Sequence, residues 1–205
     1  MSETGVRIWM FRHGATKGNG ERRFVGSTDE GITDGEKMRL AECGRRGTLH
    51  TKEGVIRFPG RDVPLYVSPM LRCRETAECL FPGREQIPVS DFREISFGRF
   101  EYRNHEELDG DPEYQAYIDS GGTREFPGGE CMADFSRRCT EAFESLDIRK
   151  ESAFVVHFGT IMALLDRYSE PHRDYFEWRV QNGGGFRVLW NPGTKKMTDI
   201  TELRA

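Results

Sequence analysis

The stretch IWMFRHGATKGN, residues 8–19, decides how this chain is read. An apolar run, Ile8 to Phe11, ends abruptly at Arg12-His13-Gly14 and continues into Thr16, Gly18 and Asn19. A short apolar run rich in β-formers predicts a buried strand over residues 6–11. A strand that stops on a guanidinium and an imidazole carries both out of the interior at its carboxyl end. Gly14 lets a ligand approach the backbone, and Thr16 and Asn19 add neutral hydrogen-bonding groups.

The pattern recurs twice. VPLYVSP (63–69) predicts a second strand stopped by Pro69, followed by a helix over 70–81 that carries Arg72 and has Met70, Cys73, Ala77, Leu80 and Phe81 on its apolar side. SAFVVHF (152–158) predicts a third strand that ends at His157, with a helix over 159–168 behind it. Between these, residues 33–46 open with Thr33 and Glu36 at capping-box spacing and predict a helix. Residues 86–97 predict a strand running into a loop. Residues 104–119 predict polar helix with a break and restart at Asp111-Pro112. Residues 127–146 predict a Gly turn followed by a helix with Met132, Phe135, Cys139, Ala142, Phe143 and Leu146 on one face. Residues 176–190 predict two strands around a turn, and 196–203 a last strand.

Strands alternating with helices predict an α/β three-layer sandwich: a mainly parallel central sheet, helices on both faces, and an antiparallel edge from the closing segment. Gly and Pro are spread as punctuation and no repeat or linker stands out, so one domain over 1–205 is expected.

Bulk properties exclude several classes. With 36% hydrophobic and 31% charged residues and a net charge of −4, the chain reads as an ordinary globular protein without the basic bias of a nucleic-acid binder. No apolar stretch approaches the roughly 20 residues that span a bilayer. The N-terminal residues lack the charged start and apolar core of an export signal. Five cysteines, scattered and without a C-x-x-C pair, fit reduced thiols and a cytoplasmic setting. His50, His105 and His172 lie in polar stretches without metal-ligand spacing, so neither a metal nor another cofactor is expected. The expected partner is a small anionic metabolite, and the chain alone leaves monomer and homodimer open.

In open α/β sheets ligands bind beyond the carboxyl ends of the strands. Arg12, His13, Arg72 and His157 would then meet at one mouth, two guanidiniums and two imidazoles with no excess of carboxylate. Such a site wants an anion, and the planar fork of Arg matches phosphate oxygens.

RHGAT with Asn19 resembles the RHGxTxxN motif of the histidine phosphatase superfamily, in the branch of the cofactor-dependent phosphoglycerate mutases. SPMLRCRETA (68–77), REISFGRFE (93–101) and VVHFGTIMALL (155–165) resemble that family's segments for the second arginine, the acid and the second histidine, in the family's order. The resemblance implies the mutase-like fold and a metal-independent phosphomonoesterase. His13 would become a transient phosphohistidine, while Arg12, Arg72 and a protonated His157 hold the phosphoryl oxygens. Asn19 and Thr16, with Gly159 and Thr160 at the start of the last helix, would complete the phosphate and substrate contacts. Glu94 would protonate the leaving alkoxide and later activate water, with Asp91 and Glu101 its nearest competitors.

The chain departs from the family at Ala15 (often Glu), at Phe100 and Tyr102 (the Trp and Gly of WEG), and at Phe158, Thr160 and Met162. Tyr102 raises the question of where the loop carrying Glu94 lies. The length favours a hydrolase over a mutase. Residues 112–138, with Pro127-Gly128-Gly129-Glu130, resemble a stretch of alpha-ribazole phosphatases and broad-specificity phosphatases. The substrates implied are alpha-ribazole 5'-phosphate, sugar phosphates or phosphoglycerates. The alternatives are a phosphoglycerate mutase and a phosphate-binding regulator that has lost catalysis.

Overall fold

In the computed structural model, which describes residues 5–205 apart from the side chain of Phe176, the decisive stretch forms strand β1 (Val6–Arg12). It is followed by one helical turn, α1 (Lys17–Gly20), and by α2 (Asp34–Arg46). Then come a hairpin of β2 (Thr48–Thr51) and β3 (Gly54–Arg57), strand β4 (Leu65–Val67), helix α3 (Leu71–Leu80) and strand β5 (Gln86–Pro88). Two short helices, α4 (His105–Leu108) and α5 (Pro112–Asp119), lead to the long α6 (Met132–Ser145). The chain closes with β6 (Ser152–Val156), α7 (Phe158–Tyr168), β7 (Gly185–Asn191) and β8 (Lys196–Leu203).

The main sheet has six strands in the order β5-β4-β6-β1-β7-β8. The first four run parallel; β7 pairs antiparallel with β1, and β8 with β7. The three strands whose ends carry the chemistry, β4, β6 and β1, are thus consecutive in the sheet. Arg12 pairs with Val156 and Val67 with Val155, so their carboxyl ends lie level.

Alternation along the strands builds the layers. Ile8 and Met10 join Phe154 and Val156 in a core with Phe143 of α6 and Ile161, Leu164 and Leu165 of α7. Trp9 and Phe11 face the other way with Val67, Ala153 and Val155, packing on Leu40 and Cys43 of α2 and Cys73, Ala77 and Leu80 of α3. Strands buried on both faces read as continuous apolar runs, which is why residues 8–11 show no alternation. A third cluster, Ile95, Phe100, Leu108, Tyr114, Phe126 and Phe135, sits under the α4–α5 region.

The structure corrects two local expectations and adds one element. Only the second half of 176–190 is a strand; the first half passes over the sheet end, where Gly183, at φ 75°, donates its N–H to the carbonyls of Arg12 and His13. The exposed β2–β3 hairpin was not anticipated, being short and turning through Lys52-Glu53 into Gly54 at φ 136°. Strand β5 stops at Pro88 and the chain runs on into a loop, as residues 86–97 suggested. Thr33 caps α2, accepting from the Glu36 N–H, but the Glu36 carboxylate does not close the box: it accepts instead from the Ala15 N–H at 2.9 Å and pairs with Arg39. Asp111 caps α5 with Pro112 in its first turn, as the break predicted.

Candidate active site

His13 is 3% exposed and His157 and Arg72 are fully buried, all at the level where β1, β6 and β4 end. The two imidazole centroids are 5.2 Å apart with planes at 64°. The His13 backbone is fixed on one side by its N–H donating to the Val156 carbonyl and on the other by Gly183 donating to its own carbonyl.

The His13 ring has a defined tautomer. Nδ1 lies 2.8 Å from the Gly14 carbonyl, which can only accept, so Nδ1 carries the proton and Nε2 keeps its lone pair. Burial, then the charges of Arg72 and Arg12, hold the ring's pKa well below the ordinary histidine value, against the opposing effect of the Gly14 carbonyl. His13 is therefore a neutral imidazole with a free Nε2, the form a nucleophile requires.

Arg72 enters from the first turn of α3. Its guanidinium donates to the carbonyls of Thr28 and Gly26 at 2.8 Å each and of Val25 at 3.4 Å. Arg12 donates to the Val180 carbonyl at 2.9 Å and lies 5.0 Å over the Phe158 ring. In both arginines the Nε is buried and has no hydrogen-bond partner. Two buried, unpaired guanidinium donors beside a neutral imidazole make a site for an oxyanion, because such donors carry a desolvation cost until something accepts from them.

His157 stands at the N-terminus of α7, its Nε2 2.8 Å from Ser68 Oγ and 3.5 Å from Cys73 Sγ. Burial and the neighbouring Arg72, His13 and Arg12 hold its pKa well below the usual value, so the proton expected on it from the family pattern is disfavoured among these charges alone. Burial raises the Cys73 thiol to about 12, which leaves it an inert neutral neighbour.

Glu94 is partly exposed, its Oε1 accepting from the Ile95 N–H at 3.1 Å and its Oε2 from the Gly159 N–H at 3.4 Å. Desolvation raises its pKa above the ordinary carboxylate value, opposed by those N–H groups and by Arg72 and Arg12. A carboxyl poised to hold a proton within reach of the field of Arg72 and Arg12 suits a general acid. Its competitors separate cleanly: Asp91 is exposed, and the Glu101 carboxylate is occupied by backbone amides.

The remaining expected contacts divide. Thr16 and Asn19 bind each other in a capping box around α1, leaving the Asn19 Nδ2 as the group available for an anion. Gly159 brings its N–H to Glu94, and a Cβ there would stand 2.5 Å from Glu94 Oε1. The Thr160 hydroxyl is buried and donates to the Phe92 carbonyl at 3.5 Å, so it is engaged within the fold.

Three supporting residues escaped sequence reasoning. Asn182 donates from Nδ2 to the His13 carbonyl at 3.2 Å and to Asn19 Oδ1 at 3.1 Å. Thr76 accepts from the Gly14 N–H at 2.9 Å while donating to the Arg72 carbonyl at 2.7 Å. Ser68 orients His157. Ser68 and Thr76 lie within SPMLRCRETA, which pointed to Arg72 and not to them, and Asn182 is an ordinary polar residue with no spacing signal.

The departures also resolve. Phe100 is fully buried in the aromatic cluster of Phe24, Tyr114, Tyr117 and Phe126, so it fills a core position. Tyr102 adopts the glycine-like conformation itself, φ 57°, and donates its hydroxyl to Glu30 at 3.1 Å beneath Arg23. The left-handed position in this loop is therefore held by a residue other than glycine. Met162 is a core residue. A cavity of about 530 Å³, lined by Arg12, Phe158, Arg179, Val180, Gln181 and Glu202, opens beside the Arg12 guanidinium. Among the described residues no cluster of three or more His, Cys, Asp or Glu could hold a metal ion, and no helix is long and apolar enough to cross a membrane.

This fold and this grouping of paired histidines with paired arginines define a class, and a profile of the histidine phosphatase superfamily (branch 1) matches residues 8–202: the chain belongs to that superfamily. It is 27% identical over 186 residues to an adenosylcobalamin/alpha-ribazole phosphatase of Salmonella typhimurium, covering 87% of each chain. It is 25% identical over 170 residues to a "probable phosphoglycerate mutase GpmB" of Erwinia tasmaniensis, covering 78% of this chain and 73% of the relative. Among solved structures, a candidate alpha-ribazole-5'-P phosphatase from Escherichia coli superposes with a TM-score of 0.80 at 20% identity, over 98% of this chain and 97% of its own. A second solved structure, a protein of Thermus thermophilus, superposes with a TM-score of 0.70 at 24% identity, over 95% of this chain and 98% of its own. Both structures share the mutase-like fold.

Proposed function

We propose that the protein hydrolyses small phosphomonoesters through a phosphohistidine formed on His13. The observation that carries this reading is the pair of partnerless buried Nε donors of Arg12 and Arg72 beside an imidazole held neutral with Nε2 free. In the first step Nε2 attacks phosphorus, the ester P–O bond breaks, and protonated Glu94 gives its proton to the departing alkoxide. In the second, water attacks the phosphohistidine, the P–N bond breaks, and the Glu94 carboxylate takes the proton from water. Free phosphate leaves with the site restored. Charge spreads over the three equatorial oxygens in each transition state, where Arg12, Arg72 and the Asn19 amide serve them. A bound phosphoryl dianion reverses the local field that keeps His157 neutral, so His157 takes up a proton with the substrate and becomes a third cation.

The cavity beside Arg12 supports a small organic leaving group. Alpha-ribazole 5'-phosphate is the first substrate to try, given the Salmonella relative. The mutase-named relatives make isomerisation of a phosphoglycerate the second reading. A panel of phosphomonoesters assayed for both released phosphate and isomer, with His13→Ala beside the parent and with a chelator present, tests the proposal. Phosphate release that persists with chelator and vanishes in His13→Ala is expected. Isomer without phosphate, binding without turnover, or turnover abolished by the chelator would each overturn it.

A further inference from the structure

Glu101 is a half-buried carboxylate gathered by donors rather than by cations. Oε1 accepts from the Ser27 N–H at 2.7 Å and the Phe97 N–H at 3.0 Å. Oε2 accepts from the N–H of Gly26 at 3.2 Å and of Thr28 at 3.3 Å, and from the Thr28 hydroxyl at 2.9 Å. None of the ion pairs among the described residues includes it. Burial would raise its pKa, but these hydrogen bonds outweigh burial and hold it below the ordinary value, so it stays ionised.

The same loop serves Arg72 from its other side. The peptide group joining Val25 to Gly26 gives its N–H to Glu101 and its carbonyl to Arg72, and the next peptide, Gly26 to Ser27, does the same. Two consecutive peptide dipoles therefore bridge a carboxylate and a guanidinium, each end polarising the other. The bond from Phe97 reaches Glu101 from a different segment. Phe97 lies on the loop that begins at Glu94, and Gly26 sits so close to that loop that a Cβ would collide with the Ile95 carbonyl and the Phe97 ring.

We infer that Glu101 is a positioning residue that sets the phosphate-binding Arg72 and the acid Glu94 in fixed relation, acting through the peptides of 25–28 and through Phe97. It touches neither substrate nor reacting atoms, and the inference rests on the phosphatase reading above.

The test is Glu101→Gln, which keeps the shape but turns an NH2 group toward backbone donors, with Thr28→Val, which removes one hydroxyl contact, as the milder variant. Activity, orthophosphate affinity by calorimetry, the pH profile and the melting temperature are measured for each. Displacing a catalytic group by an ångström lowers rate by about 10²-fold, so kcat/KM of Glu101→Gln should fall by that order. Orthophosphate binding should weaken about tenfold, as loss of a well-aimed guanidinium contact implies. The pH limb belonging to Glu94 should move, and Thr28→Val should change each quantity in the same direction by less. If Glu101→Gln fails to fold, Thr28→Val alone decides by the same readouts. Parental kinetics and phosphate affinity in the folded variants, or a loss of melting temperature alone, would overturn the inference while the parent's own turnover keeps the phosphatase reading. A parent that neither turns over nor binds orthophosphate would overturn both.

Discussion

Gly159→Ala isolates the acid from the rest of the site. Gly159 is buried in the first turn of α7, and a methyl group there would stand 2.5 Å from Glu94 Oε1 and 2.9 Å from Phe135 Cζ. Phe135 is buried in the aromatic cluster and cannot retreat, whereas the Glu94 carboxylate is the free end of a flexible chain. The carboxylate therefore moves, losing the Gly159 N–H contact and its aim at the leaving group. Overpacking of this kind costs about 1–3 kcal/mol, and replacing Gly by Ala in a helix returns up to about 1 kcal/mol, so the fold should lose little. Chemistry should lose more. General acid catalysis contributes about 10²–10⁴-fold, so an alkyl phosphate should fall by about 10²-fold in kcat, roughly 2.7 kcal/mol of barrier. An activated aryl phosphate such as p-nitrophenyl phosphate has a leaving group that needs no proton, and its phosphorylation step should fall by about threefold or less. The assay is single-turnover release of alcohol against release of nitrophenolate in parent and variant. Equal losses for the two esters would refute the assignment of Glu94 as the acid and of Gly159 as its seat.

Burial and strain supply two more expectations. His13 and His157 have folded-state pKa values depressed below the ordinary 6.5, so they contribute stability that is present above 6.5 and lost as pH falls through it. Glu94, with a raised pKa, acts in the opposite sense but alone. The melting temperature should therefore fall from pH 7 to about pH 5.5, the fall should be shallower in His157→Gln, and added orthophosphate should restore it by binding the folded state; a flat or rising profile in the parent would contradict the neutral assignment. Tyr102→Gly removes about 1 kcal/mol of left-handed strain but also a hydrogen bond to Glu30 worth about 1 kcal/mol and a cation–π contact with Arg23 worth about 0.5–1 kcal/mol. The melting temperature should drop by a few degrees at most with kcat/KM within about twofold of the parent, and a large loss of activity would mean that Tyr102 shapes the Glu94 loop after all.

The parts of this protein legible from sequence were those in which burial and chemistry change abruptly together. Residues 8–13, 65–72 and 152–157 each switch from apolar strand to polar end, and those strands prove adjacent and parallel in the sheet. Helices α3 and α6, each with one apolar face, and α7, buried along residues 159–165, read equally well. Residues 176–184 misled because Val180 and the aromatics suggested a strand, whereas the glycines of 183–185 are needed for close approach to β1, where a Cβ on Gly185 would strike the Met10 carbonyl. The supporting groups Asn182, Thr76 and Ser68 reach His13, Gly14 and His157 through tertiary packing across 62 to 169 positions of sequence, a separation no local pattern encodes. Glu101 was legible as a carboxylate near the acid, but its role lies in four backbone N–H groups that only the folded loop supplies.

The phosphoryl group on His13 is the point on which the account turns. Rapid quenching of the parent during turnover of a phosphorus-labelled ester, followed by mass spectrometry under alkaline conditions, should locate one acid-labile phosphoryl group on His13 and none in His13→Ala. Label carried by any other residue, or turnover retained by His13→Ala, would contradict it.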